Sequence, residues 1–301
     1  MIKISTLNFT IITAAAIALS SCTANLIPST VKKNPNSTEL ESKGKEILQK
    51  AYVAHGSENL EKHETYQFTA TDDWKGMIGT IGKIWEDKNS QLTLKYVPGT
   101  FDGQVHFNSG EDSGKIVGLQ SWKYYEIDKC DKPNFDRKYN KKAVFGLAAF
   151  QYFTELVGRM NNAEIIRYGS EKVFNGNIYD LVYVTWKSEK KDKEVDQYIL
   201  YINKETSMLD YAIYTLRDNY LSMPGTAMMY GSIGYSDYKN IDGFMVPFTQ
   251  SLFTFKPEKN NNKYLHQLKL STFTFDSFNK EELYPNKNIE AIGDSKSTKT
   301  K

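Results

Sequence analysis

Four histidines, His55, His63, His106 and His266, are the side chains of this 301-residue chain best suited to acid–base or metal chemistry. His55 and His63 flank the end of a predicted helix and the start of a predicted strand, so they could lie close together. A site built on that pair needs a third group, and no motif supplies one. The HExxH and GxSxG patterns do not occur. The sequence therefore predicts a protein that is not an enzyme and holds no metal or cofactor.

A second group of chemically suggestive residues lies between positions 72 and 85. Asp72 and Asp73 precede Trp74, an arrangement compatible with a sugar-binding platform. A polar turn with a packed aromatic ring is the interpretation that we favour. The following GxxGxxG pattern, Gly76 to Gly82, lacks the spacing of a phosphate-binding loop and favours strand bulges. We accordingly predict a strand over residues 78–85.

The N-terminal segment carries the most specific signal in the sequence. Lys3 precedes an apolar run from Phe9 to Leu19, which as a helix would span about 16 Å, against about 30 Å of bilayer hydrocarbon. This length predicts a signal peptide over residues 1–21 and not a membrane span. The run ends in Leu-Ser-Ser-Cys22, which resembles a bacterial lipobox. We therefore predict lipidation of Cys22; an ordinary secretion signal with an incidental cysteine is the alternative.

Cys130 and the polar segment after Cys22 are interpreted more simply. Cys130 has no partner once Cys22 is acylated, and we favour a tolerated free cysteine over a redox thiol. Residues 22–37 are rich in Pro, Ser, Thr and Asn, which predicts a flexible tether between membrane and domain. Thr23 is not acidic, which resembles the sorting of lipoproteins to the outer membrane.

The body of the chain, residues 38–285, reads as one domain of strands with two helices. Helical spacing predicts one helix from Thr38 to Gly56 and another from Lys141 to Met160. Alternating patterns and turn dipeptides predict about a dozen strands elsewhere. Residues 286–301 have little to bury, which predicts a disordered tail. The 38 basic and 36 acidic residues give a net charge of +2, so no large basic field is available for nucleic acid.

Several predicted strands are apolar on both faces. In the strand near residue 200, Tyr198 and Leu200 point one way, whereas Ile199 and Tyr201 point the other. A solvated sheet needs one apolar face, so the second face predicts either covering helices or an interior cavity. The pattern alone leaves a ligand cavity and a fully packed core equally open, and it does not decide which parity faces inward.

Three features together resemble the LolA/LolB-like lipoprotein-carrier family. They are the lipobox, the N-terminal helix ending at His55-Gly56, and two strand-and-turn patterns, DQYILYINKET at 196–206 and YSDYKNIDGFMVP at 235–247. The resemblance implies a mainly β (α+β) fold: an antiparallel, incompletely closed β-barrel with the N-terminal and mid-chain helices packed as a lid. It also implies an apolar cavity for acyl chains. The family's soluble carrier is not lipidated, so Cys22 makes this chain resemble the outer-membrane receptor.

Together with this resemblance, the apolar pattern predicts a ligand site. The expected lining residues are Phe150, Phe153, Tyr198, Leu200, Tyr214 and Leu216. We expect an envelope lipoprotein, anchored in the outer membrane through acylated Cys22 and facing the periplasm. It would bind a lipid, a lipoprotein or an acyl chain such as palmitate without catalysis. The alternative is an envelope interaction or structural module that has a protein partner and no ligand cavity.

Overall fold

The computed structural model describes residues 23–129, 132–190, 194–217, 228–259 and 263–289. The predicted signal peptide at 1–21, the two cysteines Cys22 and Cys130, and residues 290–301 of the predicted tail lie outside the described residues.

Twelve strands form one antiparallel sheet with the order β5-β4-β3-β2-β1-β12-β11-β10-β9-β8-β7-β6. The strands β5 and β6 stand at the two edges and do not pair, so the barrel is not closed. The bounds of the strands are β1 Tyr66–Trp74, β2 Asn89–Tyr96, β3 Gly103–Phe107, β4 Ile116–Gln120, β5 Lys123–Ile127, β6 Ile165–Phe174, β7 Asn177–Thr185, β8 Tyr198–Asn203, β9 Leu209–Thr215, β10 Tyr230–Ile241, β11 Phe244–Phe253 and β12 His266–Phe275. The predicted mainly β (α+β), incompletely closed antiparallel barrel is confirmed.

Helices lie on both faces of this sheet. They are α1 Ser29–Lys33, α2 Thr38–Ala54, α3 Ser57–Leu60, α4 Gly76–Gly82, α5 Lys141–Thr154 and α6 Leu156–Asn161, with 3₁₀ turns at Pro257–Lys259 and Lys280–Leu283. The chain must pass from edge strand β5 to edge strand β6, and α5 and α6 make this crossing. Within the described ranges, no helix combines the length and apolar character needed to cross a bilayer.

The concave face holds two apolar clusters. The first joins α5 to β1–β4, β11 and β12, and the second joins α2 and α6 to β6–β10. The pairing of β11 with β12 is short, from Thr249–Lys269 to Leu252–His266, whereas β1 pairs with β12 over its whole length. The sheet is therefore two meanders that meet along a short ladder.

The second apolar face of β7–β9 is covered by the segment that we had predicted to be a flexible tether. Val31 of α1 is 1% exposed and packs on the convex face with Tyr183 and Ile199, while Leu26 and Ile27 flank it. The prediction is therefore wrong for residues 26–33. Leu26, Ile27 and Val31 are apolar and pack on the apolar outer face of the sheet, although the segment is polar on average. The segment and α2 lie on opposite faces of the sheet, and both contact edge strand β6.

Two other boundaries also differ from the predictions. Residues 76–82 form helix α4 and not a strand: Ile78 and Ile81 are three residues apart, which fits helical spacing and not the alternation of a strand. The domain also continues past residue 285. The Gln120 amide donates to the carbonyls of Asn286 (2.9 Å) and Ile289 (3.1 Å), so the beginning of the predicted tail is ordered.

Candidate ligand site on the concave face

The six predicted lining residues all lie on the concave side, in two groups. Tyr198, Leu200 and Tyr214 belong to the second cluster, with Phe153 and Leu216 packed against it. The ring centroids of Phe153 and Tyr214 are 4.9 Å apart. Phe150 belongs to the first cluster. The parity that the sequence left open is thus assigned: Tyr198 and Leu200 face the helices, and Ile199 and Tyr201 face outward.

The space between the helices and the sheet is nearly filled. A cavity beside Phe153, Tyr235 and Phe244 has a volume of about 10 Å³, which is room for about one water molecule. A drug-sized or acyl ligand needs several hundred Å³. In this conformation the concave face is therefore packed, and a ligand could enter only where a helix moves.

A buried carboxylate holds the junction of α5 and α6. Glu155 lies between the two helices and accepts hydrogen bonds from Tyr66 Oη (2.9 Å) and Gln151 Nε2 (2.9 Å). The Arg159 guanidinium forms an ion pair with it at 2.7 Å, and the two side chains are 3% and 9% exposed. Burial and the nearby Glu155 carboxylate raise the pKa of Tyr66 well above its ordinary value, so this phenol stays a donor. We call Gln151, Glu155 and Arg159 the latch.

The latch ties the helices to the loop between β2 and β3. Arg159 donates to the Thr100 carbonyl (2.7 Å) and Gln151 donates to the Val97 carbonyl (2.7 Å). The Gly99 amide donates to Glu155 at 3.2 Å. One end of α5 is thus fixed by charge-assisted hydrogen bonds in a dry environment, where removing one partner is costly.

The Phe150 side chain of α5, one residue before Gln151 of the latch, lies beside a buried acid–base pair. His266 Nε2 donates to Asp72, and Trp74 Nε1 donates to the other oxygen of the same carboxylate at 2.9 Å. Asp72 and His266 are 0% and 3% exposed. Within the described ranges no hydroxyl or thiol lies within hydrogen-bond distance of His266 Nδ1, so the pair lacks a nucleophile. Asp72 therefore serves neither a sugar platform nor a polar turn.

Two buried polar atoms near this pair lack hydrogen-bond partners. They are His266 Nδ1 and Trp85 Nε1. The Phe150 ring is near both rings, with centroid distances of 5.8 Å to His266 and 6.3 Å to Trp85. An unpaired buried donor or acceptor costs free energy that a ligand's polar group could recover. Two buried polar atoms that could form hydrogen bonds with a ligand, His266 Nδ1 and Trp85 Nε1, therefore lie near Phe150.

His55 and His63 do not form a joint site. His55 Nδ1 is hydrogen-bonded to the Ala51 carbonyl (2.8 Å), and burial lowers the pKa of His55 to about 4. His63 instead contacts Asp276 (2.7 Å) and stacks on Phe275. In the part of the chain that the structure describes, no three His, Cys, Asp or Glu side chains are grouped to hold a metal.

Sequence reasoning missed the latch and the buried pair. Glu155 and Arg159 are four residues apart on predicted helical sequence, a spacing that could have indicated an ion pair. Their partners Tyr66 and Gly99 come from distant segments. Asp72 and His266 are likewise brought together by the pairing of β1 with β12, which periodicity does not reveal.

Comparison with solved structures identifies the architecture. A domain described as an outer membrane lipoprotein-sorting protein domain from Vibrio parahaemolyticus aligns over 82% of this chain and 98% of its own, with 14% identity and a TM-score of 0.51. A DUF1329 family protein from Desulfovibrio piger (80% and 98% of the two chains, 11% identity) and a LolA superfamily protein from Nitrosomonas europaea (80% and 96%, 10% identity) each align with a TM-score of 0.49.

The sequence itself gives no independent family assignment. No family model matches the chain, and no curated protein matches it. The resemblance therefore rests on architecture alone: this unclosed antiparallel sheet aligns with the Vibrio domain over 82% of the chain. This chain has the LolA-like fold of lipoprotein-sorting proteins, as its resemblance predicted.

Proposed function

We propose that this protein is a non-catalytic bacterial envelope lipoprotein, anchored through acylated Cys22, that binds a lipid or lipoprotein acyl chain between the concave sheet and α5. The observation that carries the proposal is the construction of the concave face. One LolA-like sheet carries a separate lid helix that is held by a polar latch at one end and by side-chain packing along its length.

Entry of the ligand requires α5 to move away from the first cluster. The helix contacts that cluster through Val144, Leu147 and Phe150, and Gly146 lies against Ile84 and Trp85. These contacts are apolar, so an acyl chain that replaced them would bury a similar surface at little net cost. The filled interior is then the ligand-free state, in which the lid side chains occupy the ligand's place.

The polar end of the ligand would bind where Phe150 now lies. Trp85 Nε1 is a donor, and His266 Nδ1 accepts or donates according to its protonation. A carboxyl, ester or amide carbonyl displacing Phe150 would satisfy the indole N–H. The acyl chain would then extend along α5 toward Phe153 and Tyr214.

A second candidate, an envelope interaction module without a ligand cavity, is favoured by one observation. The cavity beside Phe153 and Tyr235 has a volume of about 10 Å³, and a permanently closed core would have the same appearance. The two candidates differ in whether an acyl chain reaches Phe150.

Photo-cross-linking distinguishes them. Isolated membranes containing the full chain are mixed with a photoreactive palmitate, irradiated and digested, and the cross-linked peptides are identified by mass spectrometry. The proposal expects cross-links in residues 141–161 and 198–216 that excess unlabelled palmitate abolishes. Cross-links confined to other peptides would reject the ligand site and leave the interaction module.

A pair of matched variants tests the position of the ligand. Phe150 and Phe273 are both 5% exposed in the first cluster, but Phe150 lies on the lid and Phe273 on β12. Both Phe→Ala changes destabilise by about 3–5 kcal/mol. We expect Phe150→Ala to increase the cross-link yield by opening space at the site, and Phe273→Ala to leave the pattern unchanged. An equal response of both variants would contradict the assignment.

A further inference from the structure

Exposed apolar side chains are concentrated at one end of the sheet. Six large apolar residues in three connections between strands are between 42% and 79% exposed: Met77, Ile78, Ile81, Met228, Met229 and Phe255. We call these six residues the apolar rim. Scattered exposed apolar residues are normal, whereas a contiguous group of them marks a binding surface.

The sheet order makes the three connections neighbours. They follow β1, β9 and β11, and the strands involved are adjacent in the order β2-β1-β12-β11-β10-β9. The register places Trp74 opposite His266, Ser232 opposite Phe253, and Tyr230 opposite Thr215. All three connections therefore leave the same end of the sheet.

The described chain also begins at this end. The Ala24 carbonyl accepts a hydrogen bond from Arg217, which follows the last residue of β9 by two positions. The Leu26 amide donates to Gln197 Oε1 (2.8 Å), and Gln197 precedes the first residue of β8. Cys22 precedes Ala24 by two residues in the sequence, so an acyl chain on Cys22 would be tethered next to this end of the sheet.

Lysines surround the rim. Residues 75–88 and the described parts of 254–265 carry five exposed lysines: Lys75, Lys88, Lys256, Lys259 and Lys263. Lys75 pairs with Asp73, and Glu86 is exposed on the first of these segments. Apolar side chains beside lysines suit an interface with acyl chains and anionic headgroups.

We propose that the apolar rim is a membrane-docking surface that inserts into the bilayer holding Cys22. The inference rests on the anchor in the proposed function and goes beyond it by fixing which end of the barrel faces the lipid. A bilayer is the partner that we assign to the rim, because an acyl chain on Cys22 would hold the membrane close to the end of the sheet that carries the rim. The mouth of the barrel beside His266 and Trp74 then faces the membrane.

The test measures the depth of single labelled positions in the full chain. The chain carries Cys130→Ser, and intact mass confirms acylation of Cys22. An environment-sensitive fluorophore is attached after Ile78→Cys or Phe255→Cys. The matched control is Ile178→Cys, because Ile178 is 45% exposed in the β6–β7 hairpin at the opposite end of the sheet. The proteins are reconstituted in vesicles of phosphatidylethanolamine and phosphatidylglycerol with or without nitroxide-labelled lipid.

The expected result is a difference between the two ends. Labels at 78 and 255 shift to shorter wavelength and lose most of their emission to the nitroxide lipid, as expected for side chains about 5–10 Å into the interface. The label at 178 keeps its aqueous spectrum. Equal, aqueous behaviour at all three positions of an acylated chain overturns the docking surface. A mass without acyl addition overturns the anchor and this surface with it, while palmitate cross-linking still tests the ligand site separately.

Discussion

The two long helices on the concave face are held against the sheet in different ways. On α2, a Cβ at Gly44 would lie 2.7 Å from the backbone carbon of Arg167 and the backbone nitrogen of Tyr168. On α5, a Cβ at Gly146 would also meet an atom at 2.7 Å, but that atom is the Ile84 side-chain Cγ2. A side chain can rotate away, whereas the backbone of a paired strand cannot.

This difference assigns separate roles to the two helices. The glycine contact brings α2 against β6, and α2 also contacts β7 and β8. α5 depends on apolar side chains and on the latch at its C-terminal end. We therefore expect α2 to remain in place when α5 moves, so that opening occurs over β1–β4.

The largest expected effect comes from breaking the latch. Glu155→Gln leaves the 9%-exposed Arg159 side chain without its counter-charge, and we expect the free energy of unfolding to fall by about 3–5 kcal/mol. Urea unfolding followed by circular dichroism measures the change. The control is the double variant Glu155→Gln with Arg159→Met, which should recover much of the loss. A loss below about 1 kcal/mol in the single variant would show that the latch does not hold α5.

A methyl group at Gly44 should break the other attachment. Gly44→Ala gains about 1 kcal/mol of helix propensity but forces α2 away from the β6 backbone, so we expect a net loss of about 2 kcal/mol. Gly158→Ala is the matched control. Its Cβ would meet Ser57 at an ordinary 3.7 Å, so this variant should be neutral or stabilised. If both variants gained stability in urea unfolding, the close contact at Gly44 would be refuted.

Lowering the pH should reduce the free energy of unfolding through protonation of His55 at the end of α2. Burial lowers the pKa of His55 to about 4 in the folded state, against 6.5 when unfolded. The unfolded chain therefore binds the proton first, and stability falls as the pH drops from 6.5 toward 4. At pH 5 the loss is about 2 kcal/mol from this residue.

Urea midpoints at pH 7 and pH 5 measure this dependence. Burial also lowers the pKa of His106 to about 4, so the wild type should lose stability from both residues. His55→Gln should remove about half of the difference between the two pH values. An unchanged pH dependence in this variant would contradict the burial of a neutral His55.

The smallest effect on stability is expected for Gly146→Ala, which compares the attachment of α5 directly with that of α2. Gly146→Ala places a methyl group against a movable Ile84 side chain, so the propensity gain and the crowding nearly cancel, within about 1 kcal/mol. The crowding should still loosen α5 and increase palmitate cross-linking. A loss as large as that of Gly44→Ala would show that both helices are equally fixed.

Local pattern was sufficient for most of the strands, the segment predicted over residues 78–85 being the exception. The alternation of Tyr198, Ile199 and Leu200 correctly indicated two buried faces, and helical spacing correctly placed the start of α2. The segments that cover each face of the sheet could not be predicted from the local sequence of the strands. Residues 26–33 appeared polar on average, although Val31 alone becomes almost fully buried.

The site depended still more on distant pairing. Six predicted residues do lie on the concave side, because inward parity is a periodic property. The volume of the cavity between them cannot be predicted from periodicity, because it depends on how closely α5 packs against the sheet. Asp72 and His266 meet through strand pairing between the two ends of the domain, which no window of sequence contains.

The position of β1 also determines the order in which the molecule can be assembled. The first strand pairs along its whole length with the last, Tyr66 opposite Phe275, and β12 joins the two meanders. During synthesis, β1–β5 must wait for the end of the chain before the sheet is continuous, which predicts slow folding dominated by long-range contacts. Until then β1 and β11 present unpaired edges that other chains could bind. A chaperone that shields strand edges would therefore matter more to this protein than to one whose neighbouring strands all follow each other in sequence.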